Sequence, residues 1–119
     1  MVRSQLPITT QRSEPEPDIA IVQGNHSDFR NQHPAGADCR LVVEVADTSL
    51  PRDRAKAVIY SAAGVREYWI VNITEQCIER FEYCGDSKNF KQSLIPANSQ
   101  ISLQVANEIL ILDLGLIFS

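Results

Sequence analysis

"LVVEVADTSLPRDRAKAVIYSAAGVREYWIV", residues 41–71, carries a carboxylate where an apolar strand should have none. Glu44 sits among Leu41, Val42, Val43 and Val45. The run "RLVVEVA", 40–46, is β-branched and almost wholly apolar, the pattern of a central strand covered on both faces. "DTSLP" then supplies a helix start: Asp47, Thr48 or Ser49 suits the cap, and Pro51 the first turn. The spacing predicts a helix over about 51–63, with Ala55, Val58, Ile59 and Ala62 as its apolar stripe. Gly64 stands where a left-handed terminator belongs. "REYWIVNI", 66–73, reads as the next strand. Strand, helix, strand in that order predicts a crossover, with the two strands parallel or at least in one sheet.

Working outward, "DIAIVQ" at 18–23 is a strand candidate, entered through the proline-stiffened "RSEPEP" at 12–17. Residues 3–9 read as a strand that Pro7 stops or confines to an edge. Residues 24–38 are loop by composition, and His26, His33 and Arg30 are polar residues of that loop. Downstream, "QCIERFEYC" and "KNFKQSLI" predict a hairpin joined through "GDS", and "SQISLQVA" and "EILILDL" a second pair. The tail is therefore antiparallel. The expected class is α+β: a central mixed sheet, a crossover helix and an antiparallel C-terminal part.

The chain has 119 residues, 44% hydrophobic and 22% charged, with formal net charge −4. That length suits one domain over 1–119 with one core. The acidic balance argues against a purely electrostatic nucleic-acid binder, though not against an enzyme with a local basic patch. Arg52, Arg54, Lys56 and Arg66 form such a patch, with Asp53 among them; a solvated helix face is the equal alternative. No run reaches the roughly 18–20 apolar residues of a membrane-spanning helix. No apolar signal core opens the chain. The expected location is the cytoplasm. Cys39, Cys77 and Cys84 show no C-x-x-C spacing, so reduced thiols are expected.

Strand side chains alternate, so Leu41, Val43 and Val45 share one face and Val42, Glu44 and Ala46 the other. If the strand starting at Asp18 lies beside 41–46, Asp18 and Glu44 converge. Two close carboxylates repel, and a divalent cation resolves that. Mg²⁺ takes one or two carboxylates with waters and phosphate oxygens, and Mn²⁺ substitutes for it. This is the chemistry of metal-assisted phosphodiester hydrolysis. The same-face position two residues past Glu44 holds Ala46, so the accompanying cation is sought on the helix. Lys56 leans back toward the helix N-terminus, with Tyr60 on its face and Asp53 three residues before it. The structural alternative remains open here: Asp18 as a turn residue, and Glu44 paired with Arg54 or Lys56. Of Tyr68 and Trp69, one is expected in the core.

"PEPDIAIV" followed by the 41–71 block resembles the Uma-two group of restriction endonucleases, in the PD-(D/E)XK nuclease superfamily. The matching residues are Asp18, Glu44, Val45, Ser49, Asp53, Arg54, Lys56, Tyr60, Gly64, Glu67, Tyr68, Trp69 and Val71, and the likeness covers about 5–115. The resemblance implies a restriction-endonuclease-like fold and a metal-dependent DNA endonuclease. It implies Asp18, Glu44 and the Val45 carbonyl as metal ligands. It implies Lys56 as a relocated catalytic lysine, supported by Asp53 and Tyr60. Family members usually carry a further N-terminal segment with a helix, early strands and an acidic residue. Without it, apolar surface is expected to be covered by homodimerisation. The rival readings are a non-catalytic remnant that binds DNA or a partner, and a structural oligomerising domain.

Overall fold

Eight consecutive residues, Cys39–Ala46, form the central strand β3, and seven of the eight are buried or half-buried. The structure is a computed structural model and describes residues 2–3, 18–22, 34–47, 49–83, 90–105 and 108–118. Six strands make one sheet in chain order: β1 (Val2–Arg3), β2 (Ile19–Val22), β3, β4 (Glu67–Asn72), β5 (Cys77–Tyr83) and β6 (Phe90–Pro96). β3 and β4 are parallel, with Glu44 opposite Ile70, and the other neighbours are antiparallel. The mixed α+β architecture expected from the sequence is the one found. β7 (Gln100–Val105) and β8 (Glu108–Asp113) form a separate antiparallel ribbon, followed by the short helix α2 (Leu114–Ile117). Of the strand expected over 3–9, only Arg3 is described; it pairs with Ala20. His26, His33, Arg30, Cys84, the stretch 12–17 and the "GDS" turn lie outside the described residues. Cys39 and Cys77 are buried and form no disulfide among the described residues.

The alternation of β3 divides two cores. Val42 and Ala46 pack with Ala20, Val22, Tyr60, Tyr68, Ile70 and Phe81 under the helix α1 (Leu50–Ala63). Leu41 and Val43 pack with Trp69, Val71, Ile78, Ile101, Leu103 and Leu114 against the ribbon. Tyr68 and Trp69 are both buried, one in each core, because neighbours on a strand face opposite sides.

α1 starts one residue before the expected helix and ends at Gly64, whose φ of 93° is the left-handed conformation anticipated there. The expected apolar stripe is wrong. Ala55, Val58 and Ala62 are exposed, Val58 at 73%. The inward face is Asp53, Tyr60 and Ser61, with Leu50 and Ala57 partly buried beside them. The apolar contact is made instead by Tyr60 with Leu50 and Ala57, and Asp53 and Ser61 share that face.

Candidate functional site

The antiparallel register of β2 and β3 pairs Ile19 with Val43, so the residue before β2, Asp18, stands beside Glu44. Two hydrogen bonds cross between them. The Asp18 N–H donates to Glu44 Oε1 at 3.0 Å. The Val45 N–H donates to Asp18 Oδ2 at 2.7 Å. On a strand the N–H and C=O of one residue point to the same edge. The Val45 carbonyl therefore faces the side on which Asp18 sits. Glu44 is 4% exposed.

Lys56 reaches this pair from α1. Its Nζ lies 2.5 Å from Glu44 Oε2 and 3.4 Å from Asp53 Oδ1. Asp53 is held in turn by the Ser49 hydroxyl, which donates to Oδ2 at 2.6 Å, while the Tyr68 hydroxyl donates to the Asp53 carbonyl at 2.8 Å. Of the alternatives for Glu44, Lys56 is its partner and Arg54 is not. Arg54 reaches Glu79 on β5 with two bonds of 2.8 Å.

Burial pushes the Glu44 carboxyl above its usual range, and the nearby Asp18 charge adds to this, against the opposing pull of Lys56. Burial lowers the Lys56 ammonium, but its bond to Glu44 and the charges of Glu44 and Asp53 outweigh that and leave it raised. The two partners move the same way because the carboxylate lies deeper than the amine. Lys56 therefore keeps its proton at neutral pH.

Tyr60 lies in the core beneath, its ring centroid 4.9 Å from that of Tyr68. Its hydroxyl is buried and has no hydrogen-bond partner among the described residues. Burial, then the charges of Glu44 and Asp53, push its pKa up.

Asp18, Glu44, Val45, Asp53 and Lys56 are thus brought together, with Tyr60 under them. The roles of two residues escaped the sequence. Glu79 lies in the same cross-strand row as Glu44, and Glu67 is buried between Arg40 and Arg80 on the other face. Glu67 also accepts from Trp69 Nε1, while Arg40 Nε donates to the Gln104 carbonyl at 2.8 Å, tying the sheet to the ribbon. A concavity of about 820 Å³ is lined by Arg40, Arg66, Glu67, Tyr83 and Gln104. It lies toward the start of β3 and β4, away from the Glu44 end.

The donor set suits a hard cation. Two carboxylates and a carbonyl offer only oxygen, and a cation beside Glu44 would relieve the cost of its buried charge. Among the described residues no three His, Cys, Asp or Glu side chains gather as metal ligands.

Residues 1–110 match the Uma2 family, described as "Putative restriction endonuclease". The chain belongs to the Uma2 family. Among curated proteins none matches it. Among solved structures it is similar to one described as "a putative nuclease belonging to DUF820" from Anabaena variabilis, at TM-score 0.75 and 12% identity. The likeness covers 98% of this chain and 66% of that one. At that identity the likeness speaks for the fold, and the chain spans 66% of that structure's length. Among the described residues of this Uma2 chain no helix is long and apolar enough to cross a membrane.

Proposed function

We propose that this Uma2 chain is the core of a metal-dependent endonuclease hydrolysing DNA phosphodiester bonds in the cytoplasm. The observation that carries the reading is the crossed hydrogen bonding of Asp18 and Glu44 with the Lys56 amine on Glu44. Asp18, Glu44 and the Val45 carbonyl would hold Mg²⁺, or Mn²⁺ in its place. The ion would make water nucleophilic and offset charge developing on the phosphate.

Lys56 is placed to serve as a hydrogen-bond donor beside Glu44. Its three N–H groups allow it to keep Glu44 and still reach a phosphate oxygen or the attacking water. Asp53 holds Lys56 on its face of α1, and Ser49 holds Asp53. The exposed side chains of Ile109, Leu110 and Ile111 on β8 support self-association, and homodimerisation is part of the proposal. A monodisperse monomer in sedimentation would count against that part.

The test is calorimetric titration of Mn²⁺ into the chain and into Glu44→Gln, beside cleavage of duplex DNA. Stoichiometric binding and cleavage, both lost in the variant, are expected. Lys56→Met is expected to keep Mn²⁺ binding and lower kcat by about 100-fold, the scale for losing one charge-stabilising donor. Arg66→Ala, exposed and outside the cluster, should leave cleavage near that of the wild type.

A second reading rests on the same ion pair. Lys56 and Glu44 already satisfy each other, as a non-catalytic remnant would require. Absent Mn²⁺ binding, together with salt-sensitive DNA affinity indifferent to metal, would favour it.

A further inference from the structure

Continuing the β2 register by one residue gives a row across the sheet under α1: Asp18, Glu44, Ile70, Glu79. Glu44 and Glu79 stand one strand to either side of β4, about 10 Å apart at the spacing of two strands. Each meets a cation from α1. Lys56 takes Glu44, and Arg54 takes Glu79 with a two-pronged contact, Nε to Oε1 and Nη2 to Oε2, both 2.8 Å. Glu79 is 1% exposed and also accepts from Asn72 Nδ2 at 3.4 Å. The bonds to Arg54 hold its carboxyl below the usual range, against the opposing effect of burial.

Residues two apart on a helix point about 200° from each other. Arg54 and Lys56 therefore leave α1 on opposite flanks and straddle β4. Tyr60, with Leu50 and Ala57 beside it, packs α1 onto the sheet, but apolar contact is non-directional and does not by itself fix the roll of the helix. A polar contact on one flank alone leaves small rolls of the helix about that packing unopposed on the other flank. Contacts on both flanks remove that freedom.

We infer that Arg54 and Glu79 are a positioning pair that fixes the roll of α1, and with it the place of the Lys56 amine over Glu44. The inference deepens the proposed function and rests on that reading of Lys56. Neither residue touches reacting atoms. The flat fork of Arg54 matters beyond its charge, because a lysine offers no paired, coplanar donors.

The chain has three lysines, Lys56, Lys88 and Lys91, so the Lys56 amine can be followed without any cleavage assay. Lys91 is exposed on β6 and serves as the internal reference. The experiment is brief acetic anhydride labelling of the full chain, without metal, read by peptide mass spectrometry as the Lys56:Lys91 ratio. In the wild type the ion pair shields Lys56. Arg54→Lys, which keeps a charge opposite Glu79, and Glu79→Gln are each expected to raise the ratio by about tenfold, the shift one charge-assisted hydrogen bond carries. The double variant Arg54→Met/Glu79→Met replaces the pair with apolar side chains of similar reach, so no buried charge is stranded. It lacks directional contacts and is expected to raise the ratio too.

In cleavage, the same variants should lower kcat and leave KM and Mn²⁺ affinity unweakened. A Lys56:Lys91 ratio unchanged in folded variants, with only the melting temperature lowered, overturns the inference and leaves the pair purely structural. If the wild type cleaves nothing, the proposed function fails, while the labelling ratio still decides on the pair.

Discussion

Tyr60 has a buried hydroxyl with no partner among the described residues, and that has a stability cost. An unsatisfied buried hydroxyl loses its hydration and gains nothing in return. Tyr60→Phe removes the group and keeps the ring against Tyr68. The variant is expected to be more stable by about 1 kcal/mol, read as a rise in the urea midpoint at constant slope. A lowered midpoint would mean the hydroxyl is bonded in solution. Glu44, by contrast, was legible at the level of single residues. Alternation placed it opposite Leu41 and Val43, on the face where the helix returns. Glu79 was not. In "CIERFEY" it alternates with Cys77 and Phe81 on one face, but its row partner depends on the β4–β5 register. No local pattern in the sequence states that register. Glu67 opens a strand whose six residues are all buried, so it carries no polar-out alternation to mark it either.

At the scale of elements, α1 is where sequence and structure diverge. Its ends were legible because they depend on local chemistry: Pro51 in the first turn and Gly64 after the last. Its inward face was misread because the 3.6-residue period identifies a helix but assumes that the covering face is apolar. Here the sheet beneath carries Glu44 and Glu79, Lys56 and Arg54 answer them, and Asp53 shares the inward face as a partner of Lys56. The end of the helix is held by close backbone approach as well. A Cβ on Gly36 would lie 2.5 Å from the Ala63 carbonyl oxygen, so only glycine lets the turn before β3 pass under the helix end. Gly64→Ala forces a Cβ into a left-handed residue and is expected to cost about 1 kcal/mol, measured by urea unfolding. Glu67 is expected to matter more. It gathers Arg40, Arg80 and Trp69, and Arg40 carries the link onward to β7. Glu67→Ala takes the shared carboxylate from two half-buried guanidinium groups, leaving Arg80 only the more distant Glu82, and is expected to cost about 3 kcal/mol. Hydrogen exchange should show the ribbon amides losing protection before those of β3.

Over the whole molecule, each face of one sheet is closed by an apolar core and by a buried carboxylate with arginine partners: Glu79 with Arg54 under α1, Glu67 with Arg40 and Arg80 under the ribbon. The two cores make the fold stable without settling where the covering layers sit, since apolar contact is non-directional. The arginine contacts supply direction. They also tie stability to pH, and for Glu79 the sign follows from its shift. Its carboxyl is held below the ordinary value of 4.5, first by the bonds to Arg54 and less by Asn72. Between 4.5 and that lowered value the unfolded chain binds a proton that the folded chain refuses. The unfolded state thus holds more protons there, and stability rises with pH across that window. The Glu79 contribution is complete above 4.5 and is lost as pH falls through the lowered value. Glu79→Gln has no proton to bind in either state. Its unfolding midpoint is therefore expected to fall less steeply than that of the wild type on acidification below pH 4.5, with the difference between the two curves shrinking toward the acid end. Arg54→Lys keeps the charge without the fork, so its curve should lie between them. Parallel acid limbs in all three would place the acid sensitivity in other carboxylates and leave the Arg54 fork without a measurable hold on Glu79.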